Sequence, residues 1–135
     1  MAVRTVDYFK VKIPNRAGQG ARLLAALKGE RIDLLAILAF PVRGGSQIDL
    51  VPRNTVRFRR AARKLGLRTS PRKAAFLIGG SDRIGAIAGV LRKLAAARIN
   101  VVAVAAARAG GGRYGGLLWV RPRDVGRARR ALRAR

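Results

Sequence analysis

A chain of 135 residues with no cysteine and no histidine has no disulfides, thiolate chemistry, zinc fingers or histidine-based acid–base catalysis. Thirty Lys and Arg against six Asp and Glu give a formal charge of +24. That balance suits either a polyanionic partner, because neutralising phosphates releases condensed counterions, or a compositional bias towards Arg, and it says nothing about fold. Half of the residues are hydrophobic and only seven are aromatic, so any core is built mainly from small aliphatic side chains.

Residues 1–14 alternate apolar with charged and show no secretory signal. Within them, residues 5–13 read as a strand: Asp7, Phe9, Val11 and Ile13 lie on one face, Val6, Tyr8, Lys10 and Lys12 on the other. Asn15 is placed to cap a helix in which Leu23, Leu24, Leu27 and Ile32 recur at helical spacing. Residues 34–42 are a near-continuous apolar run, expected as a buried strand, and Arg43-Gly44-Gly45-Ser46 signals a hairpin. Residues 47–51 return as a strand, residues 52–55 open a basic second helix ending at Gly66, and residues 67–70 are a short extended piece. The order then repeats. Residues 73–78 form a strand, Asp82 caps a helix of Ile87, Val90, Leu91 and Leu94, and residues 99–107 form a strand. A glycine-rich turn at 109–113, a strand at 114–120 and a last helix at 124–132 complete the series. The longest apolar runs fall well short of the ~20 residues that span a bilayer, so a cytoplasmic chain without membrane attachment is expected.

The repetition is a duplication. Arg83 follows Arg16, Gly85 follows Gly18 and Ile99 follows Ile32, each by 67 residues, and Leu91, Leu94, Arg98 and Asn100 follow Leu24, Leu27, Arg31 and Asp33 likewise. After a slip of three residues, Pro122-Arg123-Asp124 matches Pro52-Arg53-Asn54. Two modules are therefore expected, 5–70 and 71–135. Each has the order strand, helix, strand, strand, helix, strand: an α/β sandwich of the ferredoxin-like type, its helices on one face of an antiparallel sheet.

The stretch Asp82-Arg83-Ile84-Gly85-Ala86-Ile87-Ala88, followed by Ala97-Arg98-Ile99-Asn100-Val101, resembles an ACT domain. The family pattern is Asp-Arg-Pro-Gly-Ala-Leu-Ala on a strand-to-helix turn and Gly-Ile-Asn at the start of the second strand. Asn15-Arg16-Ala17-Gly18 and Arg31-Ile32-Asp33 form a more distant version, and the likeness spans about residues 6–132. Ile84 and Ala17 stand where the family prefers proline. The resemblance implies a regulatory sensor of a free amino acid or similar small ligand, held where modules pair. A homodimer through sheet or helix pairing, or association with an ACT-bearing enzyme or regulator, is the implied assembly. The second module is expected to lack its last strand, another copy or subunit filling that edge unless three strands suffice.

The turn residues suit such a ligand chemically. A glycine between strand and helix lets backbone approach a ligand closely, and the unpartnered amides of a helix start attract a carboxylate. Gly85, Ala86 and Gly18, with Asp82, Arg83, Ile84, Asn15, Arg16 and Ala17 around them, are the candidate grip for an α-carboxylate. Asn100 and Asp33 are candidate acceptors for the ammonium. Read structurally, Asp82 and Asn15 only cap helices, the glycines only permit the turn, and Asn100 only bonds backbone at a strand entrance.

Catalysis has little support: the six carboxylates are scattered, and no serine has a histidine to activate it. No cofactor or metal is implied, and Gly110-Gly111-Gly112 reads as a turn rather than a phosphate loop. The alternative is nucleic-acid binding by the two basic second helices. One carries Arg57, Arg59, Arg60, Arg63 and Lys64, the other Arg127, Arg129, Arg130 and Arg133. Residues 113–120 resemble the third-strand motif of RNA-recognition modules, but Tyr114 and Trp119 fall on opposite faces, which prevents paired base stacking.

Overall fold

Period-two and period-3.6 patterns alternate along the chain, and the computed structural model, which describes residues 2–81 and 83–135, turns each into an element. The elements in order are β1 (Ala2–Ile13), α1 (Gln19–Gly29), β2 (Leu34–Val42), β3 (Gly45–Pro52), α2 (Thr55–Leu65) and β4 (Lys73–Ser81). They continue with α3 (Ala86–Ala96), β5 (Val101–Gly110), β6 (Arg113–Val120), a 3-10 turn (Pro122–Asp124) and α4 (Val125–Leu132). The chain divides into two units: an N-terminal one of residues 7–73, and a C-terminal one of residues 74–135 joined by residues 2–6.

In the N-terminal unit the strand order is β2-β3-β1. β3 pairs antiparallel with both neighbours, Phe9 facing Leu50 and Val11 facing Ile48 across β1. A short fourth strand survives as the bridge from Val11 to Thr69, reinforced by the Ser70 amide donating to the Lys10 carbonyl at 2.9 Å. Phe9, Val11, Ile48 and Leu50 meet Leu23 and Leu27 of α1 and Phe58 and Ala62 of α2 in one core. Phe9 and Phe58 stack with ring centroids 4.9 Å apart. Each large side chain buried here contributes roughly 1.5–3 kcal/mol.

The C-terminal unit repeats the plan, with strand order β4-β6-β5. The start of β1 lies on the other side of β4 and Val3 joins this unit's core. The Thr5 amide donates to the Arg135 carbonyl at 2.7 Å and the Arg135 amide to the Val3 carbonyl at 3.1 Å. The missing last strand is thus supplied by residues 2–6, because β1 is longer than its alternating stretch suggests.

Two expectations need correction. Asn15 does not cap α1; the cap position is Gly18, with no side-chain hydrogen bond. β2, expected as a buried strand from its apolar run, is an edge strand, as is its counterpart β5, and both have much of their surface exposed, Ile37 at 44% and Val102 at 58%. An apolar run reports composition, whereas burial depends on having a strand or helix on every side, which these two lack. No helix among the described residues is long and apolar enough to cross a membrane.

Candidate functional site

Both strand-to-helix turns have the same backbone. Gly85 (φ 78°, ψ 12°) and Gly18 (φ 89°, ψ −15°) take the left-handed conformation that glycine adopts without strain. In each, the first helical amide folds back on the turn: Ala86 to the Arg83 carbonyl and Gln19 to the Arg16 carbonyl, both 3.2 Å. The Gly89 and Arg22 amides then donate to the Gly85 and Gly18 carbonyls, opening the helical ladder. Between these bonds, the amides of Ile87 and Ala88, like those of Gly20 and Ala21, are the first-turn donors that helix geometry leaves without an internal acceptor. Both cap positions are glycine and so supply no side-chain hydrogen bond to the helix. Asp82 lies outside the described residues.

The surroundings of the Gly85 turn make it the better-formed site. Arg83, Gly85, Ala86, Ile87 and Ala88 form one wall of an open hollow of about 300 Å³, lined also by Ala106, Ala107 and Arg108 of β5 and Tyr114 of β6. Tyr114 is buried, and its hydroxyl has no hydrogen-bond partner among the described residues. A buried hydroxyl left unpaired costs about 1–3 kcal/mol. Ile84 stands fully exposed, and a second hollow shares Arg83, Gly85 and Ala86 with the first and is lined also by Ile84, Gly89, Arg92 and Lys93. The donors here are guanidinium groups, helix amides and a phenol, a set suited to an anionic oxygen.

Of the residues singled out in the sequence, the structure brings Arg83, Gly85 and Ala86 to this cavity. Asn100 is not among them: it precedes β5, whose other end lines the cavity six residues further on, roughly 20 Å along an extended strand. In the N-terminal unit Asn15, Arg16, Ala17 and Gly18 are all exposed. Asp33 is engaged elsewhere, accepting from Arg53 Nε at 2.6 Å in a small crevice with Arg31, Asn54 and Arg57. Tyr114 and Arg108 escaped the sequence reading. Their signal lay in strand register, since Tyr114 pairs with both Gly80 and Arg108 and therefore sits beside the end of β4.

A polar cluster lies away from both turns. Asp49 of β3 is buried, accepts from Gln47 Nε2 at 2.9 Å and sits opposite Lys10 in the β1 register. Desolvation raises its carboxyl above the ordinary range, opposed by the Gln47 hydrogen bond and by Lys10 and Lys73. Burial, and then the Asp49 charge, raise the Tyr8 phenol. No group of three or more His, Cys, Asp or Glu that could hold a metal occurs among the described residues.

No family model and no curated protein matches the chain. Solved structures do. A protein of Bacteroides thetaiotaomicron superposes with a TM-score of 0.81 at 14% identity, over 97% of this chain and 88% of its own. The ligand-free regulatory subunit of aspartate kinase from Thermus thermophilus gives 0.66 at 15% identity, over 98% and 96% of the two chains. The corresponding subunit from Thermus flavus gives 0.61 at 16%, over 98% and 95%. Identities this low speak for fold, and the fold of this chain is the ferredoxin-like ACT type, present as two tandem modules.

Proposed function

We propose that the chain is a regulatory sensor of a free amino acid or a similar small carboxylate, bound at the Gly85 turn of the C-terminal unit. The observation that carries this reading is the open hollow of about 300 Å³ at the glycine-capped start of α3, lined by Arg83, Arg108 and Tyr114. That space suits one small ligand. In this reading Ile87 and Ala88 amides hold the carboxylate, Arg83 and Arg108 neutralise it, and the apolar Ala106 and Ala107 face the side chain. The Gly18 turn, with Asn15, Arg16 and Ala17, is a secondary site, and Asn100 and Asp33 contribute only across a pairing of modules. Likeness to regulatory subunits of aspartate kinase supports a regulatory, non-catalytic role. The exposed apolar edge strands β2 and β5 suit pairing with a second copy or with an ACT-bearing enzyme, since an unpaired apolar edge is a template for association.

The test is a thermal-shift series with the twenty amino acids. A ligand at 100 times its Kd stabilises the fold by about 2.7 kcal/mol. Gly85→Val and Gly18→Val form a matched pair. At each position an added Cβ meets open space, so the cost is the positive φ alone. Gly85→Val is expected to abolish the shift and Gly18→Val to preserve it. A response that survives Gly85→Val, or is lost equally in both, removes the proposed site.

A further inference from the structure

The second helix of each unit carries a row of exposed arginines that the few carboxylates of the chain do not neutralise. Phe58, Ala61 and Ala62 turn α2 onto the sheet, leaving Arg57, Arg59, Arg60, Arg63 and Lys64 exposed. Arg57 sits in the first turn, against the positive end of the helix dipole, and no acidic residue occupies that turn. Arg59 and Arg63, like Arg60 and Lys64, are like-charge pairs four apart, which repel. On α4, Ala128 and Leu132 are buried while Arg129 and Arg130 are exposed, with Arg133 exposed just beyond.

Internal compensation is spent elsewhere. Among the described residues Asp7 holds Thr55 and Arg72, Glu30 holds Lys64, Asp33 holds Arg53, Asp49 holds Gln47 and Asp124 holds Arg127. Arg127 also donates to the Ala97 carbonyl, and Arg59 lies 5.6 Å over the Phe9 ring. Arg57, Arg60 and Arg63 on α2, and Arg129, Arg130 and Arg133 at α4, have no carboxylate within ion-pair distance among the described residues.

We infer that these two helices are docking surfaces for the phosphate backbone of double-stranded DNA. Guanidinium forks match phosphate oxygens two at a time, and the exposed cations of both helices are almost all arginine. A membrane surface fits less well, because the apolar face that would insert is already packed against the sheet and Val56 is the one large apolar side chain exposed on α2. Single strands fit less well too. They need several exposed aromatic platforms, and of the seven aromatic residues only Phe40, on β2 and not on these helices, is exposed. A helix meets B-form DNA in a major groove about 12 Å wide, whereas the RNA duplex presents a deep, narrow one.

Anisotropy of a labelled 20-base-pair DNA duplex of mixed sequence, titrated with the full chain across a salt series, tests this. Each phosphate neutralised contributes about 0.9 to the slope of log affinity against log salt. The triple variant Arg57→Gln, Arg60→Gln, Arg63→Gln is expected to lower the slope by about 2.7 and affinity at 0.15 M salt on the order of 100-fold. Arg129→Gln, Arg130→Gln, Arg133→Gln acts the same way. Removing equal charge off these helices, by Arg22→Gln, Lys28→Gln, Arg43→Gln, leaves the slope nearly unchanged. Equal losses in all three variants would show net charge alone at work and overturn the assignment. So would preference for an RNA duplex, a single strand or vesicles containing 30% phosphatidylserine.

Discussion

The two glycine turns share a backbone but not a floor. Register places Ile13 opposite Ser46 at the end of β1, and Gly80 opposite Tyr114 at the matching end of β4. Large and small side chains have exchanged strands. Beside them, the β2 position that pairs with Ser46 is Pro41, while the β5 position that pairs with Tyr114 is Arg108. Duplication thus preserved the part that depends on φ and hydrogen bonds and let the side chains around it diverge. Among the described residues the C-terminal copy alone gathers a phenol and a second guanidinium at the turn, which is why ligand binding is proposed there.

The sharpest way to break this comparison is to give the C-terminal turn the N-terminal residue. Tyr114→Ser removes a ring from a core that also holds Phe76, Ile78, Val90 and Leu118, and should cost about 3 kcal/mol in chemical denaturation. Tyr114→Phe keeps the ring and deletes the unpaired hydroxyl. The ligand-free variant is expected to be as stable as the parent or about 1 kcal/mol more so, while its amino-acid response shrinks. If Tyr114→Phe instead loses stability without ligand, the hydroxyl is already satisfied and the floor of the cavity is structural.

A smaller effect sharpens the likeness. Helices α1 and α3 both end with an arginine in the left-handed region, Arg31 at φ 57° and Arg98 at φ 56°. Each is followed by the same closing bonds: Ile32 to the Leu27 carbonyl at 3.0 Å and Ile99 to the Leu94 carbonyl at 2.9 Å. This is a Schellman ending, whose left-handed position is usually glycine. Arg98→Gly and Arg31→Gly should each raise stability by about 0.5–1 kcal/mol, the relief of strain exceeding the added chain entropy. A gain at Arg98 with a loss at Arg31 would show that Arg31, which shares a crevice with Asp33 and Arg53, holds its shape through that contact.

Most of the fold was legible because local periodicity and the 67-residue offset report directly on chain geometry. Gly18 and Gly85 announced both turns, and Gly44-Gly45 the hairpin. What stayed hidden depends on partners distant in sequence. Nothing in residues 34–42 says that β2 is an edge, and nothing in Val3 or Thr5 says that they close the sheet of the other unit. Tyr114 reads as one more core aromatic until the pairing of β4 with β6 sets it beside the turn. Asn15 reads as a cap because caps are commonest there, yet the chain makes one more turn before α1 begins.

The last contrast is a charge. Asp49 on β3, opposite Lys10 of β1, is buried, whereas the β6 residue in the same register, opposite Leu77, is Leu117. Desolvation raises the Asp49 carboxyl, with Gln47, Lys10 and Lys73 pulling the other way, and Tyr8 is the remaining titratable group coupled to it. Because the folded carboxyl holds its proton to higher pH than the unfolded one, the folded state binds more protons between those two values. Stability is therefore greatest below the ordinary carboxylate range and falls as pH rises through the folded value. Asp49→Asn keeps the acceptor for Gln47 and cannot ionise. Its melting temperature should match the parent at acid pH and exceed it at neutral pH. A variant less stable than the parent at pH 7 but equal at pH 3 would reverse the sign, and would mean that attraction to Lys10 and Lys73 outweighs the cost of burying the carboxylate.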